Sequence, residues 1–159
     1  MRSLLFGVVL SLGIGGAAIA AAPDAQLTAP IHQFIDDFNK GDAKGAAAAF
    51  ARGDVSIIDE VAPHIWRGPG AFQSWSKSLA ADGKKNGMTD ETVTLGGPTD
   101  TVTSGRHAYV VLPATFNFKQ HGAAMHETAQ MTYALVKGAG GWKIAGWTWS
   151  GSPPVAGGK

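Results

Sequence analysis

The hydrophobic residues of this chain change their spacing once, and that change limits the folds it can adopt. Before Gly87, apolar residues recur every three or four positions, as Ile31, Phe34 and Phe38 do, which indicates helices. Over residues 89–150, apolar and polar residues mostly alternate in runs separated by short turns, which is typical of antiparallel strands. This order predicts an α+β fold in which helices cover one face of a strongly curved antiparallel sheet. The open end of such a sheet is a natural pocket for a small molecule.

Local signals divide the first half of the chain into three helices and two short strands. Thr28 is expected to cap the first helix, with Pro30 in its first turn, where the missing N–H costs little. Gly41 ends that helix and Asp42 caps the second, which runs to about residue 50. Short strands are expected at 55–58 and 64–66, a third helix at 69–81, and long strands at 89–95 continuing into 99–103, then 106–118, 125–137 and 142–150.

The N-terminus has the three parts of a secretory signal peptide. A positive start at Met1–Ser3 precedes an apolar run over 4–16 and the small-residue pattern Ala18–Ala20. The run is shorter than the roughly 20 residues that cross a bilayer, so we expect cleavage after Ala20, no stable membrane insertion, and a periplasmic or secreted protein. An uncleaved anchor is the alternative. The expected organisation is a signal peptide at 1–20, a leader at 21–29, one domain at 30–150 and a mobile tail at 151–159.

Composition excludes several classes of protein. The chain has 13 Lys and Arg and 12 Asp and Glu, and one of the 13, Arg2, belongs to the predicted signal peptide. Without the signal peptide, positive and negative charges are equal in number. The basic surface that binds nucleic acid is therefore not expected. The chain has no Cys, which excludes disulfides and lipid attachment at an N-terminal cysteine. The His residues show no compact ligand spacing, so neither a metal nor a cofactor is expected.

The stretch over residues 54–75 combines features expected of a chemical centre. A short apolar strand ends on two adjacent carboxylates, Asp59 and Glu60, and a Pro-marked turn leads into His64–Trp66. A carboxyl group at a cavity mouth has its pKa raised by burial, and it can act as a general base or bind a polar group. The alternative is structural, with Asp59 accepting backbone N–H groups in the turn. Alternation along an extended chain places Glu60 on the opposite side, in solvent.

Three local patterns resemble the nuclear transport factor 2-like superfamily, in particular its SnoaL-like and ketosteroid-isomerase-like branches. They are FIDDFNKGD at 34–42, the stretch 57–68, and GWKI at 141–144. The resemblance covers residues 30–150 and implies a cone-shaped, cystatin-like α+β barrel, commonly paired as a homodimer through the open face of the sheet. The superfamily contains isomerases, polyketide cyclases, dehydratases and binding modules, so the fold alone does not assign an activity.

The resemblance assigns a role to Asp59, which is similar in position to the catalytic base of ketosteroid isomerases. Those enzymes also need an oxyanion hole made by a Tyr and a protonated Asp. The position resembling that Tyr is Phe34, which has no hydroxyl, and Glu127 is the carboxylate nearest to the expected second donor. Without both donors the enolate loses most of its stabilisation. Authentic steroid isomerisation is therefore not expected.

Polar and aromatic side chains on the strands are candidates for contact with a ligand. His107 and Tyr109 share one strand face and bring a ring nitrogen and a hydroxyl to one surface. The whole expected ligand-binding set is Phe34, His64, Trp66, His107, Tyr109, His126, Thr128, Gln130, Trp147 and Trp149.

The last strand carries three Trp residues. Strict alternation places Trp142 on one face and both Trp147 and Trp149 on the other. A β-bulge at Gly146 would bring all three onto one side. Trp142, like Trp75, is assigned to the core and a dimer interface. Trp147 and Trp149 are left open between that role and an aromatic ligand pocket whose indole N–H groups orient the ligand.

Three functions remain open on the sequence. The first is a domain that binds a small apolar molecule in the cone without catalysis. The second is an isomerase, cyclase or dehydratase that uses Asp59 as general base, with His107, Tyr109 or His126 as the electrophilic partner. The third is a structural or interaction module whose cone is filled by its own aromatic side chains. The missing oxyanion donors favour the first function.

Overall fold

The computed structural model describes residues 25–157, which form three helices and eight strands. This order of elements confirms the predicted α+β fold. The predicted signal peptide lies outside the described residues and stays a prediction. The helices are α1 (Ala25–Asn39), α2 (Ala43–Ala48) and α3 (Ala71–Lys85), and the strands are β1 (Ser56–Ile58), β2 (Ile65–Arg67), β3 (Met88–Leu95), β4 (Asp100–Ser104), β5 (His107–Gln120), β6 (Ala123–Gly138), β7 (Gly141–Gly151) and β8 (Val155–Ala156).

The strands form one curved sheet in the order β2-β1-β7-β6-β5-β3. Strand β4 extends the β3 side of β5, because β3 pairs with the second half of β5 and β4 with the first half. Strand β1 runs parallel to β7, whereas the other pairs of strands are antiparallel. The sheet is therefore mixed, where a purely antiparallel one was expected.

Helix α1 begins earlier than the sequence indicated. It already includes Ala25, so Thr28 is not its N-cap and Pro30 lies inside the helix. A proline there removes one intrahelical hydrogen bond. Burial offsets this cost, because Leu27, Thr28 and Pro30 all pack away from solvent. Part of the predicted leader therefore belongs to the folded domain.

The turn between α1 and α2 follows the predicted chemistry. Gly41 has a positive φ of 71°, a conformation that glycine adopts without strain. Asp42 then caps α2, since its side chain accepts hydrogen bonds from the backbone N–H groups of Lys44 and Gly45. This tight connection lets α2 pack against α1 beside the sheet.

Strand β7 contains a β-bulge next to Gly146, the position that the sequence left open for one. Ala134 pairs with Gly146 while the next residue, Leu135, pairs with Ile144, so Ala145 is an extra residue in β7. The bulge reverses the alternation, and Trp142, Trp147 and Trp149 all lie on the side of the sheet that the helices cover. Trp142 and Trp147 are buried and Trp149 is half-buried.

The chain after Ser150 also belongs to the sheet. Strand β7 extends to Gly151, and β8 pairs with the start of β6 through Met125 and His126. The sequence indicated a mobile tail over residues 151–159 and no strand there, so β8 was not expected. Within residues 25–157, no helix combines the length and apolar character needed to cross a bilayer.

Candidate functional site

A cavity of about 490 Å³ opens between α1, α3 and the inner face of the sheet. The inner face is the side on which Leu112, Tyr133 and Ile144 are fully buried. Apolar and aromatic side chains make most of the wall: Phe34, Ile35, Phe38, Val61, Trp75, Leu79, Met88, Val93, Phe116, Phe118, Met131, Trp147 and Trp149. Four carboxyl groups also line it: Asp59, Glu60, Asp82 and Glu127.

Asp59 is held in the cavity wall just after β1. Its Oδ1 accepts the backbone N–H of Val61 at 2.8 Å, and its Oδ2 accepts the indole N–H of Trp75 at 3.0 Å. Burial raises the pKa of Asp59 above its ordinary value, the nearby charge of Asp82 adds to the rise, and the two N–H donors oppose it. Asp59 therefore organises the turn, and its carboxyl group lines a cavity. Its role as a base or ligand-binding group stays a prediction.

Glu60 is exposed, as expected for a residue in solvent. It nevertheless lines the cavity beside Asp59, whereas alternation had placed it on the opposite side. Partial burial raises the pKa of Glu60 to about 7, helped by the negative charges of Glu127, Asp59 and Asp82. Strand β1 ends at Ile58, so strict alternation no longer applies at Glu60.

Glu127 also lines the cavity. The sequence indicated it only as the carboxylate nearest to the expected second oxyanion donor. It is 1 % exposed, and its Oε1 accepts the indole N–H of Trp149 at 2.6 Å. Gly151 is required for this contact, because a Cβ at Gly151 would overlap Oε1 of Glu127. Glu127 is separated from Met131 and Tyr133 of β6 by even numbers of residues, so the three side chains lie on the same face of the sheet. This spacing is the sequence signal for the inward position of Glu127.

Four of the ten expected ligand-binding residues line the cavity: Phe34, His64, Trp147 and Trp149. The other six do not, which corrects the prediction. Trp66 is buried in the core, 7 % exposed, and does not reach the cavity wall. The remaining five project from the outer face of the sheet, as alternation from the inward residues requires; they are His107, Tyr109, His126, Thr128 and Gln130.

Two indole groups define the aromatic part of the cavity. Trp75 and Trp147 lie 5.1 Å apart with their ring planes at 88°. The N–H of Trp75 is used by Asp59. The N–H of Trp147 is buried, and it has no hydrogen-bond partner within residues 25–157. It is a buried donor that the described residues leave unpaired.

In the part of the chain that the structure describes, no group of His, Asp and Glu side chains has an arrangement that could hold a metal ion. His107, His121 and His126 lie outside the cavity. These three imidazoles therefore add no donor or acceptor to the groups that line it.

Acidification is expected to stabilise the fold. Glu60 has a pKa of about 7 in the folded protein against 4.5 for a free carboxyl, so between these values the folded state binds more protons and the free energy of unfolding falls as pH rises. Asp59 shifts in the same direction. Thermal unfolding between about pH 5 and pH 8 should show a Tm that decreases with pH, and Glu60→Gln should flatten that slope.

The matched control for this pH profile is Asp100→Asn, which removes an exposed carboxylate of β4. It should leave the slope of Tm against pH unchanged. A Glu60→Gln protein that keeps the full slope would show that Glu60 is an ordinary solvated carboxylate.

Comparison with known proteins agrees with this fold. Residues 27–156 match the SnoaL-like domain family, and the chain belongs to that family. A search of curated proteins finds no match.

Solved structures place the domain in the nuclear transport factor 2-like fold. A nuclear transport factor 2-like superfamily protein from Salmonella enterica superposes with a TM-score of 0.66 at 18 % identity, covering 84 % of this chain and 95 % of that one. A ketosteroid isomerase-like protein from Erwinia carotovora gives 0.62 at 19 % identity, over 81 % and 96 %. A candidate scytalone dehydratase from Novosphingobium aromaticivorans gives 0.65 at 11 % identity, over 84 % and 87 %. At such identities the likeness shows the fold alone.

Proposed function

We propose that this SnoaL-like domain binds a small, mainly apolar molecule in its cavity without catalysing a reaction on it. The observation that carries the proposal is the cavity itself, whose volume of about 490 Å³ lies within the range of small-molecule sites. Most of its lining residues are apolar, and carboxyl groups supply most of the polar ones. Phe34 supplies no hydroxyl to stabilise an enolate, so the requirement for an oxyanion hole is not met from α1.

The cavity also argues against a cone that is filled by the protein's own side chains. Phe34 already contacts the rings of Phe38, Phe50, Phe72, Trp75 and Trp147. Space for a ligand remains beyond this aromatic cluster. A purely structural role would not require that space to be kept open, since protein interiors normally pack without large voids.

Filling the cavity should abolish binding. Leu79 is a partly buried residue of α3 in the cavity wall, and Leu79→Trp places an indole where the ligand would lie. We expect the affinity for the neutral fluorescent probe N-phenyl-1-naphthylamine to fall by more than about tenfold, or 1.4 kcal/mol. Fluorescence titration measures this loss, and circular dichroism checks that the variant is folded.

The matched control is Lys77→Trp, which adds the same side chain to an exposed site on the same helix, outside the cavity. It should bind the probe as the unchanged protein does. If the unchanged protein does not bind the probe, or if Leu79→Trp binds it equally well, the cavity is not the binding site.

A second candidate function is an isomerase or lyase with Asp59 as general base. Two observations favour it: the raised pKa of Asp59, and the pKa of Glu60, which burial and the charge of Glu127 raise to about 7. A base and a protonated acid would then line one cavity. Asp59→Asn should abolish turnover of any substrate found. A folded Asp59→Asn protein with full activity would remove this candidate.

Assembly as a homodimer is proposed on the outer face of the sheet. Val102 of β4 and Tyr109 of β5 are directly paired and are 55 % and 43 % exposed, respectively. Such side chains support contact with a second copy. A sedimentation experiment that finds only monomer at all concentrations would contradict this proposal.

Export is proposed on the N-terminal pattern alone. Cleavage after Ala20 would release a protein that begins at Ala21 in the periplasm or outside the cell. The intact mass of the protein from its native host tests this, because an uncleaved chain would retain residues 1–20.

A further inference from the structure

The charges that line the cavity are almost all of one sign. Asp59 and Glu60 follow β1, Asp82 comes from α3 and Glu127 from β6, so three elements bring carboxyl groups to one space. No Lys or Arg lines the cavity among the residues that the structure describes, and His64 is its single basic group. Because walls of one charge sign concentrate ions of the opposite sign, this cavity attracts cations and repels anions.

The carboxyl groups lie close enough to disturb one another. Glu60 interacts with Glu127, Asp59 and Asp82, and its pKa of about 7 reflects burial first and these negative neighbours next. Burial raises the pKa of Glu91 of β3, and the charge of Asp82 adds to the rise. A positive group placed among these carboxylates would relieve their repulsion, and a second anion would increase it.

Aromatic rings surround the same space. Trp75 and Trp147 stand perpendicular at 5.1 Å, and Phe116 and Trp149 stand perpendicular at 6.3 Å. Rings in more than one orientation therefore bound the cavity. The face of a Trp or Phe ring attracts a cation electrostatically, and more strongly when the cation has left water.

We propose that the cavity selects an organic cation, namely an apolar or aromatic molecule that carries one protonated amine. The inference rests on the proposed binding function and names its ligand class. The amine lies among Asp59, Glu60 and Glu127, and the apolar body lies against the indole rings. A neutral ligand of the same shape gains the apolar contacts but not the interaction with the carboxylates.

Three probes of equal framework test the charge preference: 2-(1-naphthyl)ethylamine, 2-(1-naphthyl)ethanol and 1-naphthylacetate. Calorimetric titration at about pH 8, where Glu60 is mostly ionised, should give the amine an affinity at least about tenfold above that of the alcohol. The acetate should bind more weakly than the alcohol. At about pH 5.5 Glu60 takes up a proton while an alkylamine remains charged, so the advantage of the amine should decrease.

Variants locate the preference. Glu60→Gln and Glu127→Gln should each lower the ratio of amine to alcohol affinity, whereas Asp100→Asn, outside the cavity, should leave the ratio unchanged. Equal binding of amine and alcohol by the unchanged protein overturns the charge preference and leaves the cavity as a binding site. If the neutral probe N-phenyl-1-naphthylamine also fails to bind, the proposed function fails with it.

Discussion

Phe34→Ala is expected to lower the free energy of unfolding by about 3–5 kcal/mol. Phe34 is 2 % exposed and lies at the centre of the aromatic core, where its ring contacts five others. Truncation removes its buried apolar surface and leaves a space that the surrounding rings, held by α1, α3 and β7, can fill only in part. Urea denaturation followed by far-UV circular dichroism measures the loss.

Phe38→Ala is the matched control for that experiment. Phe38 lies one turn further along α1, is only partly buried, and contacts the rings of Phe34 and Trp75 alone. Phe38→Ala should therefore lower the free energy of unfolding by clearly less than Phe34→Ala does. Equal losses for the two variants would show that Phe34 is not the centre of the core.

Asn39→Ala is expected to lower the free energy of unfolding by about 2–3 kcal/mol, which is a large effect for a residue at the surface. The Asn39 side chain at the end of α1 donates to the carbonyl of Val93 at 2.8 Å and accepts the N–H of Val93 at 2.7 Å. Strand β3 is at the edge of the sheet, so the amide pairs with backbone groups that have no neighbouring strand. Removing it leaves both groups of Val93 unpaired, next to the cavity that Val93 lines.

Asn39→Asp separates the two hydrogen bonds. The carboxylate still accepts the N–H of Val93 but cannot donate to its carbonyl, so the loss should lie between those of the unchanged protein and Asn39→Ala. Chemical denaturation of all three proteins gives the comparison. If Asn39→Ala is as stable as the unchanged protein, the amide bridge does not fasten α1 to β3.

The sequence indicated the fold because its signals are local. Helical spacing at Ile31, Phe34 and Phe38, the stop at Gly41 and the cap at Asp42 each depend on a few neighbouring residues. The start of α1 was wrong for a different reason. The burial of Leu27 and Pro30 depends on distant parts of the chain, and it outweighs the usual preference for proline in a first helical turn.

The site could be predicted in part. Asp59 was found because it ends a strand, which is a local feature. Alternation correctly placed His107 and Tyr109 on one face, but it does not say which face of a strand is inside. Ala108, Val110 and Leu112 are small or apolar and lie at alternate positions of β5, so they mark the inner face of the strand. His107 and Tyr109 are therefore on the outer face.

The carboxyl pair could not be predicted from either segment alone. Glu60 and Glu127 are 67 positions apart in the sequence, and both line the cavity because the turn after β1 and strand β6 border the same space. Gly151 contributes by leaving room for Glu127 beside Trp149. Such a meeting depends on the register of several strands, which local spacing does not determine.

Native mass spectrometry of the protein purified from its native host, with organic extraction of what it carries, tests the central claim most directly. We expect a small apolar molecule at a stoichiometric amount on the unchanged protein and none on Leu79→Trp, and a basic nitrogen in that molecule would support the proposed ligand class. A molecule retained equally by both proteins, or none on either, would contradict the claim that this cavity is a binding site.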